Sequence, residues 1–169
     1  MIDVPIERER IKELNSKGVN INGSYVLYWM QASQRVEYNH ALCYAAEEAQ
    51  KYGKPLVVFF GIAPFPEANE RHYRFMLEGL KECSEKLEQM GIQFVTSLIS
   101  PEEGAEIAAK NAVLAVIDRG YLRIQKLWRE KFAKKADVKV VQVESDVLVP
   151  VETASDKEEY SAATIRRKI

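Results

Sequence analysis

The chain has 169 residues, of which 47% are hydrophobic and 29% charged, with a formal net charge of -1. That balance suits one globular domain with a sizeable core. It excludes a strong nonspecific polyanion binder, though not a local basic patch.

Residues 1–24 read as a short helix, with Ile6, Ile11 and Leu14 as a thin apolar stripe, followed by a loop at KGVNINGS. Ser24 to Met30 is nearly continuous apolar and aromatic, as a strand covered on both faces should be. A glycine-free polar crossing, QASQR, leads into a helix over Asn39 to Tyr52. Its Ala41, Leu42, Ala45 and Ala49 fall at helical spacing and Gly53 ends it. Pro55 to Gly61 is a second buried strand. Asn69 to Met90 is the clearest helix, with Tyr73, Met76, Leu77, Leu80, Cys83, Leu87 and Met90 on one stripe and Gly91 just past its end. Ile92 to Ile99 is the third strand. Ser100, Pro101 and Glu103 then predict an N-cap, a first-turn proline and a capping box. Ala112 to Asp118 is the fourth strand. Leu122 to Lys135 is a helix with Leu127, Trp128 and Phe132 facing inward, and Val138 to Glu144 is the fifth strand.

Such alternation predicts an α/β protein in three layers: a five-stranded parallel, Rossmann-like sheet of order 3-2-1-4-5 between helix layers, joined by right-handed crossovers. Residues 1–149 form that domain, and the polar segment 150–169 reads as an extended tail or connector. No apolar run approaches membrane-spanning length, and the N-terminus lacks an apolar signal core, so a cytoplasmic protein is expected.

The familiar catalytic signatures are missing. There is no GxGxxG, no GxxxxGK[ST] and no GxSxG, so no dinucleotide fingerprint, P-loop or nucleophile elbow is claimed and no catalytic residue is assigned. Cys43 and Cys83 read as free thiols packed as small hydrophobes. His40 and Cys43 have a spacing that could touch a metal, but no further ligands accompany them, and no metal is expected. His72 reads as a surface histidine. Ligands of doubly wound sheets bind beyond the carboxyl ends of the strands, at the switch point. That rim holds three loops, and the candidate binding residues are Met30, Gln31, Ser33, Arg35, Phe60, Gly61, Asp118, Arg119 and Tyr121. Gln31, Ser33 and Asp118 would orient polar edges, Arg35 and Arg119 would meet an anionic group, and Met30, Phe60 and Tyr121 would pack on a ring. The alternative for each is loop capping or core packing.

The segment YWMQASQRVEYNHAL resembles the first strand-loop-helix of class II DNA photolyases, through Tyr28, Trp29, Met30, Gln34, Arg35, Asn39, Ala41 and Leu42. PLVVFF and RHYRFMLEGLKE are similar to that family, as is ASDKEEYSAATIRRKI, through residues such as Ser155, Lys157, Glu159, Tyr160, Thr164 and Lys168. Gln31-Ala32-Ser33 stands where the family has Ser-Arg-Asp, His40 where it has Trp, and Arg167 where it has Pro. The resemblance implies an N-terminal α/β domain that carries an antenna chromophore of the deazaflavin, FMN or folate kind. In the family a helical domain holds FAD and splits the flipped pyrimidine dimer. FAD is therefore not expected on this chain, nor is dimer repair by it alone. The chain would be a stand-alone relative, half of a split enzyme or an excised domain. The implied partner is a flavin-bearing helical domain; a second copy belongs to the alternative reading as an interaction module, and weak DNA binding at best is expected. A docking module, or a small nucleotide-binding enzyme of the same fold, are the other readings.

Overall fold

The computed structural model describes residues 6–65 and 67–169. After a single 3-10 turn at Arg8–Arg10, the chain forms β1 (Ile11–Glu13), β2 (Tyr25–Trp29), α1 (His40–Tyr52), β3 (Leu56–Gly61), α2 (Glu70–Gln89) and β4 (Gln93–Ser97). It continues through α3 (Pro101–Ala109), β5 (Ala112–Asp118), α4 (Arg123–Lys135), β6 (Val140–Val143), α5 (Val151–Ala154) and α6 (Ala162–Ile165).

One sheet runs in the order β1-β6-β5-β2-β3-β4. The strands β2 to β6 pair in parallel, which is the expected 3-2-1-4-5 order. The sequence reading is corrected at the N-terminus. Where a helix was expected, Ile11–Glu13 adds a sixth strand, antiparallel to β6 with Ile11 opposite Val143. The physical reason is an anchor. Arg10 is buried, and its guanidinium donates to the carbonyls of Val147 at 2.8 Å and Leu148 at 2.7 Å. That contact lays the following residues along the open edge of β6. The other edge, β4, is mostly exposed.

The two sheet faces carry separate cores. Val26, Tyr28 and Met30 point toward Ala41, Leu42, Ala45 and Ala49 of α1, small side chains that let the helix approach closely. Leu27 and Trp29 point the other way, toward α3 and α4, where Trp29 meets the fully buried Phe132 edge-on with ring centroids 5.2 Å apart. Helix α4 turns Phe132 and Ala133 inward, but Leu127, expected inside, is exposed. The stripe on α2 is narrower than its sequence suggests. Leu80, Cys83 and Leu87 are buried while Leu77 and Met90 are exposed, because α2 lies over the edge of the sheet. Gly53 and Gly91 both adopt positive φ at the ends of α1 and α2, as helix-terminating glycines should. The capping box expected at α3 does not form. Ser100 makes no cap with its side chain and instead donates its hydroxyl to Glu102. The segment after residue 150 is not simply extended: Lys168 folds back to donate to Glu159 and to Ser155.

The loop after β2 is fixed from below. Asp118, buried at the end of β5, accepts the backbone N–H groups of Gln31 and Ala32, each at 3.0 Å, and of Ser33 at 2.8 Å. The Tyr28 hydroxyl adds a donor at 3.3 Å. Asn39, fully buried, caps α1 by accepting from Leu42 N–H at 3.0 Å. Its amide donates to Tyr28 Oη at 3.0 Å and to the carbonyls of Ser33 and Arg35. Burial pushes the Tyr28 phenol well up, with the Asp118 charge reinforcing it. Burial also pushes the Asp118 carboxyl up, against the pull of the three amides. An amide at position 118 would turn an N–H₂ group toward those donors and leave at least one unpaired. Asp118→Asn should therefore lower stability by about 2–4 kcal/mol, read from urea unfolding. Phe132→Ala empties a packed site beside Trp29 and should cost about 3–5 kcal/mol by the same measurement.

Candidate functional site

Beyond the carboxyl ends of β2 and β3 lies a groove of about 480 Å³, bounded on one side by the loop between β3 and α2 and on the other by the start of α4. Phe60 and Gly61 form its floor, Tyr73 and Met76 one wall, and Gln125 and Trp128 the other. A smaller hollow of about 20 Å³ shares Gln31, Gln125 and Trp128 with it and reaches Trp29 and Asp118.

The sequence builds this groove in identifiable steps. Gly61 ends β3 directly against α3: a Cβ there would lie 2.6 Å from Pro101 Cα, so only glycine lets the strand end beneath that helix. Gln31 spans two strands, accepting from Trp29 Nε1 at 3.0 Å and donating to the Gly61 carbonyl at 3.3 Å. Tyr73 holds the opposite loop, accepting from Phe65 N–H at 2.7 Å and donating to the Ala63 carbonyl at 3.3 Å. His72 is exposed, as expected, and its Nδ1 accepts from Asn69 N–H at 3.1 Å, which completes the cap of α2. Gln125, which lines the groove, is held by its Oε1, which accepts from Leu122 N–H at 3.1 Å. Among the described lining residues there is no lysine or arginine; the ionisable groups are Glu67, His72 and Tyr73.

The nine residues singled out in the sequence separate into distinct places. Gln31, Phe60 and Gly61 line the groove, and Asp118 lines the small hollow while its carboxylate is occupied by the loop above it. Met30 is wholly inside the core and lines neither space. Ser33 donates to Asp146 at 2.8 Å. Arg35 pairs with the same carboxylate at 2.6 Å and donates to the Ser145 carbonyl at 2.8 Å, so both tie the loop to the end of β6. Arg119 and Tyr121 turn to buried Glu144, at 3.3 Å and 2.5 Å, rather than to the groove. Burial, then the bond to Glu144, pushes the Tyr121 phenol up. Sequence reasoning missed Phe65, Tyr73, Met76, Gln125 and Trp128. The spacing of Gln125 and Trp128 on one helix face was the available signal. Among the described residues no group of three or more His, Cys, Asp or Glu is placed to hold a metal. None of the described helices is long and apolar enough to cross a membrane.

Known proteins are similar to this chain in sequence and in fold. A deoxyribodipyrimidine photo-lyase of Methanothermobacter thermautotrophicus is 52% identical over 165 residues, which cover 97% of this chain and 37% of that protein. One from Potorous tridactylus is 40% identical over 148 residues, covering 85% of this chain and 28% of that protein. The chain thus spans well under half the length of these relatives. A bacterial class III photolyase from Agrobacterium tumefaciens superposes with a TM-score of 0.58 at 19% identity, over 77% of this chain and 27% of that one, which shows a shared fold. The family model for DNA photolyase matches residues 26–169, so this chain belongs to the DNA photolyase family and corresponds to its N-terminal α/β domain.

Proposed function

We propose that this chain is the light-harvesting part of a photolyase-type system. It holds a flat chromophore in the rim groove and passes excitation to a flavin carried by a helical partner domain. The observation that carries the reading is the groove itself. Its 480 Å³ falls in the range of small-molecule sites, and Phe60, Tyr73, Met76 and Trp128 give it apolar walls with amides at the edges. The absence of lysine and arginine from its described lining favours an uncharged ring system, since a phosphate there would meet no cation. A deazaflavin or a pterin ring suits such a lining better than the phosphate end of FMN.

Phe65 and Leu122 stand at the lip of the groove, exposed by 49% and 64%, which supports a covering partner in place of open solvent. A flavin-bearing helical domain is the occupant that this role requires. A space of this size does not hold a flavin stacked on an extruded pyrimidine dimer, so dimer splitting belongs with that partner. A cytoplasmic setting, with at most weak DNA binding by this chain alone, fits the role.

Both tryptophans of the chain border the rim spaces, Trp29 the hollow and Trp128 both. Incubation with a deazaflavin, FMN or a folate should produce a long-wavelength absorption band that co-elutes with the protein, and should quench tryptophan emission. Trp128→Ala should weaken uptake by about tenfold, the loss of a ring stack near 1.4 kcal/mol. A protein that takes up none of the three and whose emission stays unchanged refutes the reading. Illuminated with added FAD but no partner, the chain should leave thymine dimers intact by chromatographic assay.

A further inference from the structure

A second groove, also about 480 Å³, lies on the far side of α4, over the β1/β6 edge of the sheet. It exists because β6 is followed by the four-residue α5 rather than by a full crossover helix, so this part of the sheet face has no helix above it. Five cations line it, Lys12, Lys17, Arg119, Arg129 and Lys134, against two carboxylates, Glu130 and Glu152, in a chain whose overall charge is slightly negative.

The cations are unequally neutralised. Arg119 pairs with Glu144 and Glu152, at 3.3 Å and 3.2 Å, and Lys12 shares Glu152 at 3.1 Å. Lys17 pairs with exposed Asp137. Arg129 and Lys134 have no carboxylate within ion-pair range among the described residues. Half-buried Arg129 donates only to the Gly120 carbonyl, at 2.9 Å. Withdrawing a guanidinium from water without a counter-charge is costly, and an anion placed beside it removes that cost. Gln142 supplies a second mark of a site. It is 3% exposed and borders the groove. A guanidinium without a carboxylate partner and a carboxamide side chain thus border one space.

We propose that this groove binds a small phosphate-bearing ligand, with Arg129 and the Gln142 amide as inner contacts and Lys134 at the mouth. The surplus of positive charge matches a phosphate monoester or diphosphate better than a single carboxylate, because a monoester carries about two negative charges at neutral pH and a diphosphate carries more. The phosphates of a nucleic-acid strand share the chemistry. Glu130 and Glu152 border the same groove, however, and they oppose a long polyanion more than a compact one.

The test is calorimetric titration of the chain with inorganic pyrophosphate at low ionic strength, beside a single-stranded oligonucleotide. Pyrophosphate should bind at one site and shift the Gln142 side-chain resonances in ¹⁵N spectra. Arg129→Gln should weaken it about tenfold, a loss of about 1.4 kcal/mol, and Lys134→Gln by a smaller factor. Arg71→Gln, a basic change at the start of α2, should have no effect. Lys134 is exposed, so that variant reports on binding even if Arg129→Gln fails to fold by circular dichroism. No heat and no Gln142 shift would overturn the proposal. So would equal weakening by Arg71→Gln and Lys134→Gln, or an oligonucleotide that binds tighter than pyrophosphate.

Discussion

Three successive amide N–H groups, at Gln31, Ala32 and Ser33, converge on one carboxylate that arrives from the neighbouring strand, and the rim takes its shape from that convergence. In many phosphate-binding sheets the loop after the central strand turns such groups toward a ligand. Here Asp118 occupies that place from within. The loop is satisfied before any ligand arrives, needs no glycine to let a phosphate approach, and leaves side chains to make the outward contacts. Tyr28 and Asn39 extend the same network to the cap of α1, so strand, loop and helix are set by one connected group of buried polar atoms. Such networks are strong only when every member is paired, and this one is.

That network also separates what the sequence discloses from what it conceals. The strands β2, β3 and β5 and the helices α1 and α2 were legible because each carries a local signal: a continuous apolar run, or a stripe at helical spacing closed by Gly53 or Gly91. β5 was legible to the residue. β1 was not, because three residues without alternation become a strand only when a distant edge and the Arg10 anchor are present. The Ser100 cap was misread for a related reason, since the hydroxyl bonds Glu102 and makes no bond to the helix amides.

The site followed the same rule. Gln31, Phe60 and Gly61 were found because strand ends fix the rim of a doubly wound sheet. Arg119 and Tyr121 sit at an equally plausible position, yet buried Glu144, more than twenty residues away, claims both. Gln125 and Trp128 lie in the first two turns of α4, and only the packing of α4 against the sheet brings them over the rim. Residues whose role is set by tertiary partners carry at most a faint local mark, here the shared helix face of Gln125 and Trp128.

The stitch between Arg10 and the carbonyls of Val147 and Leu148 has a consequence for how the molecule comes to be made. It ties the Arg10 side chain to carbonyls 137 and 138 positions later in the chain. During synthesis the parallel strands can assemble as they emerge, while β1 must wait, its edge unclaimed, until β6 has left the ribosome. Ile11–Glu13 are then translated well before the edge they pair with exists.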